Sequence, residues 1–247
     1  LVATGWFWLR REFSGRTVGI SFLAVVAGVT FLPTMSILLS QGQTASILAL
    51  MVAADALLIR GRGRGVVTGI AAALKIYPIF FIGFWLVRRE WRPAITALVS
   101  GATTTLLAWA IWPHHSFRFF FERLSSGKEI SHFHDNIHWR SSSASPYSFF
   151  YRPPFHGGAL GSTLGMVSVA AVAILGMFAA VSLYRNGYQL ASFVVALMGS
   201  TLAAPVVWDH YFAWVVIMPF AIVEVGRRQL VTTATLLATV QTRLKLP

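Results

Sequence analysis

The chain has no cysteine, and only eight of its 247 residues are acidic. Without cysteine there is no disulfide framework, no thiolate nucleophile and no cysteine-based metal site, and the redox compartment is left open. Charged residues of both signs make up 11% of the chain, where an ordinary soluble domain carries roughly a quarter. There is no internal repeat, and the period-2 alternation that would favour a β-barrel is missing. What remains is apolar: 56% of residues are hydrophobic and the mean hydropathy is +0.66.

The apolar residues lie in long runs, as in helices surrounded by lipid and by one another. The runs are Val18 to Leu39, Ala45 to Ile59, Val66 to Val87, Ala94 to Trp112, Leu160 to Tyr184, Leu190 to Val207 and Tyr211 to Val225, with a weaker one at Val231 to Val240. Several reach the roughly 20 residues that cross hydrocarbon, and some fall short. The expected fold class is therefore all-α: a polytopic transmembrane helical protein, one integral membrane domain over residues 1–247, with a long loop over 113–159. Leu1 to Leu9 followed by Arg10 and Arg11 reads as the end of a longer apolar segment, because a signal peptide carries its basic residues first. Further spans upstream are the expectation.

The net charge of +12 would suggest nucleic acid in a soluble protein. Here the basic residues sit between apolar runs, where they act as topology signals, and no nucleic-acid partner is expected. The clusters are Arg10, Arg11 and Arg16; Arg60, Arg62 and Arg64; Arg88, Arg89 and Arg92; Arg185; and Arg227 with Arg228. All should face the cytoplasm. A single crossing by Val66 to Val87 would break that rule, since both its ends are basic. Pro78 lies in the middle, has no N–H and clashes with the preceding turn, so a broken, re-entrant pair of half-helices restores the parity. On this count 113–159 is an outer-face loop. Six of the seven histidines fall in that loop, and His210 falls in an outer turn. A polar site on the outer face follows.

Lys75 stands among apolar side chains just before Pro78, a costly place for an ammonium unless it snorkels or meets an anion such as a lipid phosphate. Asp209 and His210, in Trp208-Asp209-His210-Tyr211 after Pro205, offer a carboxylate and an imidazole as base, orienting partner or phosphate ligand. An interfacial turn with solvated charges would carry the same residues. The segment from His132 to His138 includes His134, Asp135 and His138. It matches no specific metal pattern, so no metal is expected, and hydrogen bonding to sugar or phosphate is the reading. Arg140, Ser141 to Ser143, Ser145, Tyr147, Tyr151 and Arg152 mix donors with aromatic faces, which suits a carbohydrate surface or any wet loop. Gln41 and Gln43 place two amides at an outer helix junction, where they could read sugar hydroxyls or cap a helix. Asp55, within a span but near Arg60, Arg62 and the inner interface, reads as structural.

Gln41-Gly42-Gln43 before an apolar helix, a basic loop, Gly-x-x-x-x-Leu74-Lys75-x-Tyr77-Pro78, a second basic loop with Trp91, a long outer loop and Pro205-x-x-Trp208-Asp209-His210-Tyr211 together resemble glycosyltransferase family 87. The resemblance runs from about Gly15 to Arg228. It implies a multi-pass GT-C fold in the cell membrane and an inverting transfer of mannose or a similar hexose on the outer face. The donor would be a polyprenyl-phosphate sugar, with no other cofactor, and the acceptor a glycolipid or glycan. Carried onto this sequence, Lys75, Tyr77 and His210 would hold the donor phosphate and Asp209 with His210 would orient the donor. Gln41, Gln43, His134, Asp135, His138 and Arg140 would meet sugar or acceptor. GT-C enzymes keep their catalytic carboxylate in the first outer loop, and no acidic outer loop precedes Val18, so the general base is expected upstream of Leu1. The Ser-rich stretch 141–145 and Pro153-Pro154 depart from the family pattern and leave the acceptor open. From another class, a secondary transporter or lipid flippase would share the topology; it would often show a second broken helix in a matching half, and this sequence has only the one at Pro78, with no second copy of the Lys75–Pro78 pattern.

Overall fold

The computed structural model describes residues 44–124, 143, 145–150, 152, 158–204, 207, 217–229 and 232. Among them all regular structure is helical. Helix α1 (Ala45–Ala53) continues into a π-helical turn, Ala54–Leu58. Then come α2 (Val66–Leu74), α3 (Ile79–Val87) and α4 (Trp91–Ile111). The short α5 (Pro113–Phe117) runs into a π-helical stretch, Arg118–Leu124. After it follow α6 (Pro146–Phe149), α7 (Gly158–Arg185), α8 (Gln189–Leu202) and α9, residues 218–229.

The apolar run 66–87 is two helices. Lys75 leaves α2 in an extended conformation (φ −154°, ψ 136°), and Pro78 starts the next helix. The chain reverses between them: Arg64, just before α2, forms a 2.8 Å salt bridge with Glu90, just after α3. A straight helix from Arg64 to Glu90 would hold those ends about 40 Å apart. The break at Pro78 is thus a hairpin that returns both basic flanks to one end.

Small residues bring the helices together. A Cβ on Gly69 would collide with Ser100 Oγ and the Ala97 carbonyl, and one on Gly65 would collide with the Pro93 carbonyl. Ser100 Oγ donates to the Val66 carbonyl at 3.0 Å. Position 65 meets 93 and 69 meets 97, so α2 and α4 run parallel. Between α7 and α8, Gly176 faces Gly199 and Ser192 Oγ donates to the Ala180 carbonyl at 2.6 Å. Such close backbone contact is how helices associate where lipid removes the hydrophobic drive. Helix α3 is the centre of the core: Phe81, Phe84 and Trp85 are buried, and Phe81 lies 5.4 Å from the Phe193 ring of α8.

Helix ends explain the buried acids. Asp55 is fully buried, and its carboxylate accepts the backbone N–H groups of Gly65 (2.6 Å) and Thr68 (2.8 Å), capping α2. Its role is structural, as expected, and it is played through backbone amides. Glu224 of α9 does the same for α8, accepting from Leu190 (3.2 Å) and Ala191 (2.9 Å). Each carboxylate satisfies two N–H groups that a helix leaves open at its start and faces the positive end of its dipole. At the other ends, α3 and α7 both close with Schellman motifs. Glu90 N–H donates to the Trp85 carbonyl and Arg89 N–H to that of Leu86; Tyr188 and Gly187 repeat the pattern with Leu183 and Tyr184. The left-handed position is Gly187 (φ 84°) in one, and Arg89 (φ 61°), a non-glycine residue, in the other.

The basic clusters gather accordingly. Arg64 and Arg88 both meet Glu90, the Tyr184 hydroxyl donates to Glu90 at 3.2 Å, and Arg228 lies beside Gly187. One end of the bundle therefore holds Arg60–Arg64, Arg88–Arg92, Arg185 and Arg227–Arg228. The two longest helices, α4 and α7, are apolar and long enough to cross a membrane, and only 11% and 17% of their apolar windows are buried. A core helix of a soluble protein is mostly covered, whereas these leave their apolar surface for lipid.

Candidate functional site

The end of the bundle opposite the arginines carries the candidate site. The Phe80 ring, at the start of α3, lies against Gly199 near the end of α8. The turn holding Lys75 and Tyr77 therefore shares this end with Ala204 and Val207, where the chain enters Trp208-Asp209-His210. Lys75 and Tyr77 are each partly buried, and Pro78 beneath them is buried. The α2–α3 hairpin thus sets an ammonium at the tip of a core element rather than on the bundle's side.

Beside that tip is an open, mainly apolar cavity of about 440 Å³, lined by Leu74, Thr104, Trp112, His115, Ser116 and Phe120 among others. It lies between the end of α2 and the junction of α4 with α5. Its size falls in the range of ligand pockets, and its apolar walls with a few hydroxyl and imidazole groups suit a lipid chain carrying a polar head. Thr104 and His115 were not singled out from the sequence. The signal for His115 was its place three residues after Trp112 at the end of a span.

The Ser-rich stretch serves the fold. Ser143, Ser145 and Ser148 are all buried. Ser145 Oγ donates to the Ala204 carbonyl (2.7 Å) and accepts from Tyr147 N–H (3.2 Å), capping α6. Ser143 Oγ accepts the Val207 N–H at 3.1 Å, and Arg152 donates to the Ser143 carbonyl at 2.8 Å. Tyr147 packs its ring on Gly165 and pairs its hydroxyl with Ser162 at 3.2 Å. Of the residues expected to suit a carbohydrate surface or a wet loop, Ser143, Ser145, Tyr147 and Arg152 are described, and Arg140, Ser141, Ser142 and Tyr151 lie outside the described residues. Ser143 and Ser145 join this segment to Val207 and Ala204, just before Trp208 in the sequence.

Gln41, Gln43, His134, Asp135, His138, Arg140, Asp209 and His210 lie outside the described residues. Among the described residues no group of three or more His, Asp or Glu side chains could hold a metal ion. The first dozen residues of the stretch 113–159 are helical, through α5 and Arg118–Leu124.

These features fit a helical membrane protein, with two helices apolar and long enough to cross a bilayer. The chain belongs to glycosyltransferase family 87, whose model matches residues 1–208. It is 32% identical over 108 residues to the polyprenol-phosphate-mannose-dependent alpha-(1-2)-phosphatidylinositol mannoside mannosyltransferase of Mycobacterium tuberculosis (strain ATCC 25618 / H37Rv). That alignment covers 40% of this chain and 25% of the relative, so the match spans a quarter of the relative's length. No solved structure matches the chain.

Proposed function

We propose that this protein is a multi-pass membrane glycosyltransferase that moves mannose or a similar hexose from a polyprenyl-phosphate donor to a lipid-linked or glycan acceptor, on the outer face of the cell membrane. The observation that carries the reading is the hairpin at 75–78. With it Lys75 lies at the end of the bundle away from the arginine clusters, the same end as Ala204 and Val207, and the positive-inside rule supports reading the arginine end as cytoplasmic.

In the reaction an acceptor hydroxyl oxygen attacks the anomeric carbon, the bond from that carbon to the phosphate oxygen breaks, and the polyprenyl phosphate departs with the electron pair. The hydroxyl proton passes to a base. Charge builds on the leaving phosphate, so a cation held beside it lowers the barrier. Lys75 supplies that cation, with Tyr77 and His210 as further ligands. Asp209 and His210 orient the donor. Gln41, Gln43, His134, Asp135, His138 and Arg140 hydrogen-bond the sugar or acceptor. The cavity beside Leu74 and Trp112 receives the first units of the polyprenyl chain.

The test is transfer of radiolabelled mannose from polyprenyl-phosphate mannose to glycolipids in membranes that express the gene's full-length product. Lys75→Ala and His210→Ala should each lower transfer by about 100-fold or more, the scale of losing one preorganised charge-stabilising group. Undiminished transfer in both variants would contradict the assigned roles.

A further inference from the structure

The arginine end of the bundle contains a second cavity, about 90 Å³ in volume, lined by Leu57, Arg60, Arg64, Arg88, Tyr184 and Gln189 among others. Its charges do not balance. Arg64 and Arg88 share the single carboxylate of Glu90, and Arg60 has no ion pair among the described residues. The other described acids at this end, Asp55 and Glu224, are committed to capping α2 and α8. Among the described residues, three guanidinium groups thus line a space that one carboxylate serves.

Two of these guanidinium groups, those of Arg64 and Arg88, are also fixed in place. The Arg88 side chain is 6% exposed and lies 3.2 Å from the centroid of the Tyr184 ring and 4.7 Å from that of Phe84. Its Nε and the Nε of Arg64 are buried and lack a hydrogen-bond partner. Burial pulls the Arg88 pKa down while Glu90 and Tyr184 pull it up, and an arginine so placed stays protonated at neutral pH. A buried cation with an unused donor, facing a small polar space, calls for an anion. Planar guanidinium forks match phosphate oxygens in particular.

We propose that this cavity binds a phosphate group, supplied by the headgroup of an anionic membrane lipid. The volume holds several waters or one phosphate and leaves no room for a sugar ring. Leu57, Phe84 and Phe193 complete its wall, and Leu58 and Val87 beside it are 44% and 41% exposed, which gives an acyl chain an apolar path away from the head. The position, at the basic ends of apolar helices, is where headgroups of the inner leaflet lie. The length of the α2–α3 hairpin separates it from the Lys75 end, so it is distinct from the proposed donor site and independent of the transfer reaction.

Native mass spectrometry of the full chain released from detergent, with phosphatidylglycerol or phosphatidylcholine added, tests the assignment. The wild type should retain phosphatidylglycerol in preference to phosphatidylcholine. Arg60→Gln, which leaves the Arg64–Glu90 and Arg88–Glu90 pairs intact, should weaken that retention about fivefold, the scale of one arginine at an anionic lipid surface. Arg62→Gln, outside the cavity lining, should leave it unchanged. Equal retention of the two lipids, or equal effects of Arg60→Gln and Arg62→Gln, would overturn the proposal. Thermal stabilisation by inorganic phosphate that Arg60→Gln abolishes, without any lipid preference, would assign the cavity to a soluble phosphate and overturn the lipid source.

Discussion

Arg64 and Glu90 meet at 2.8 Å across the open end of the α2–α3 hairpin, although the apolar stretch 66–87 separates them in sequence. If this hairpin enters the membrane without crossing it, Arg62 and Arg92, both exposed, lie on one side. The chain has no cysteine, so single Arg62→Cys and Arg92→Cys variants can be labelled with an impermeant thiol reagent against no background. Both should react only after the cytoplasmic face is opened. A crossing helix would expose one of them from outside.

The two buried carboxylates are predicted to hold helix starts. Asp55→Ala removes the acceptor for Gly65 and Thr68 N–H groups, and Glu224→Ala removes that for Leu190 and Ala191. Each should destabilise the protein by about 2 kcal/mol, from a lost cap plus buried donors left unpaired. In a thermal-denaturation assay in detergent that corresponds to a Tm fall of roughly 4–8 °C. Asp55→Asn, which keeps one acceptor oxygen, should fall less.

Gly69 should be intolerant of any side chain. Its Cβ position is occupied by Ser100 Oγ and the Ala97 carbonyl, so Gly69→Ala must push α2 from α4 at a cost of about 1–3 kcal/mol. Gly63, whose Cβ would meet only Ile59 at 3.9 Å, is the control, and Gly63→Ala should leave the melting temperature within a degree or two.

Ser145 joins the long loop to the chain before Trp208. Ser145→Ala loses both the 2.7 Å bond to Ala204 and the α6 cap, and should cost about 1–2 kcal/mol. Mannose transfer should fall more than stability alone explains, because the entrance to Asp209 and His210 loosens. Ser168→Ala, which removes a hydroxyl bonded only to the Gly165 carbonyl of its own helix, should leave transfer near wild type.

What the sequence made legible was the solvent and the parity. Run lengths and the placing of arginines required a break near Pro78, and the structure has one there. The catch was in the polar residues. Periodicity says nothing about which backbone amide a buried acid will find 10 or 34 residues away, so the sequence offers no sign of the cap that Glu224 makes and reads Asp55 as structural without naming its partners. The serines of 143–148 have the composition of a wet loop, and only their docking on Ala204 and Val207 shows that they are buried. The arginine cavity was hidden for a related reason. Lys and Arg between spans read as topology signals one cluster at a time, and Arg60, Arg88 and Gln189 come together only when three helices close.

The functional reading depends on one spatial claim, that the Lys75 turn and His210 share the end of the bundle away from the arginines. In the cysteine-free chain, the pair Ile76→Cys with His210→Cys should be joined within one molecule by a short bifunctional thiol reagent, since Ile76 is 68% exposed beside Lys75. Arg62→Cys with His210→Cys should not be joined. Cross-linking of the second pair and none of the first would place His210 at the arginine end and contradict the account.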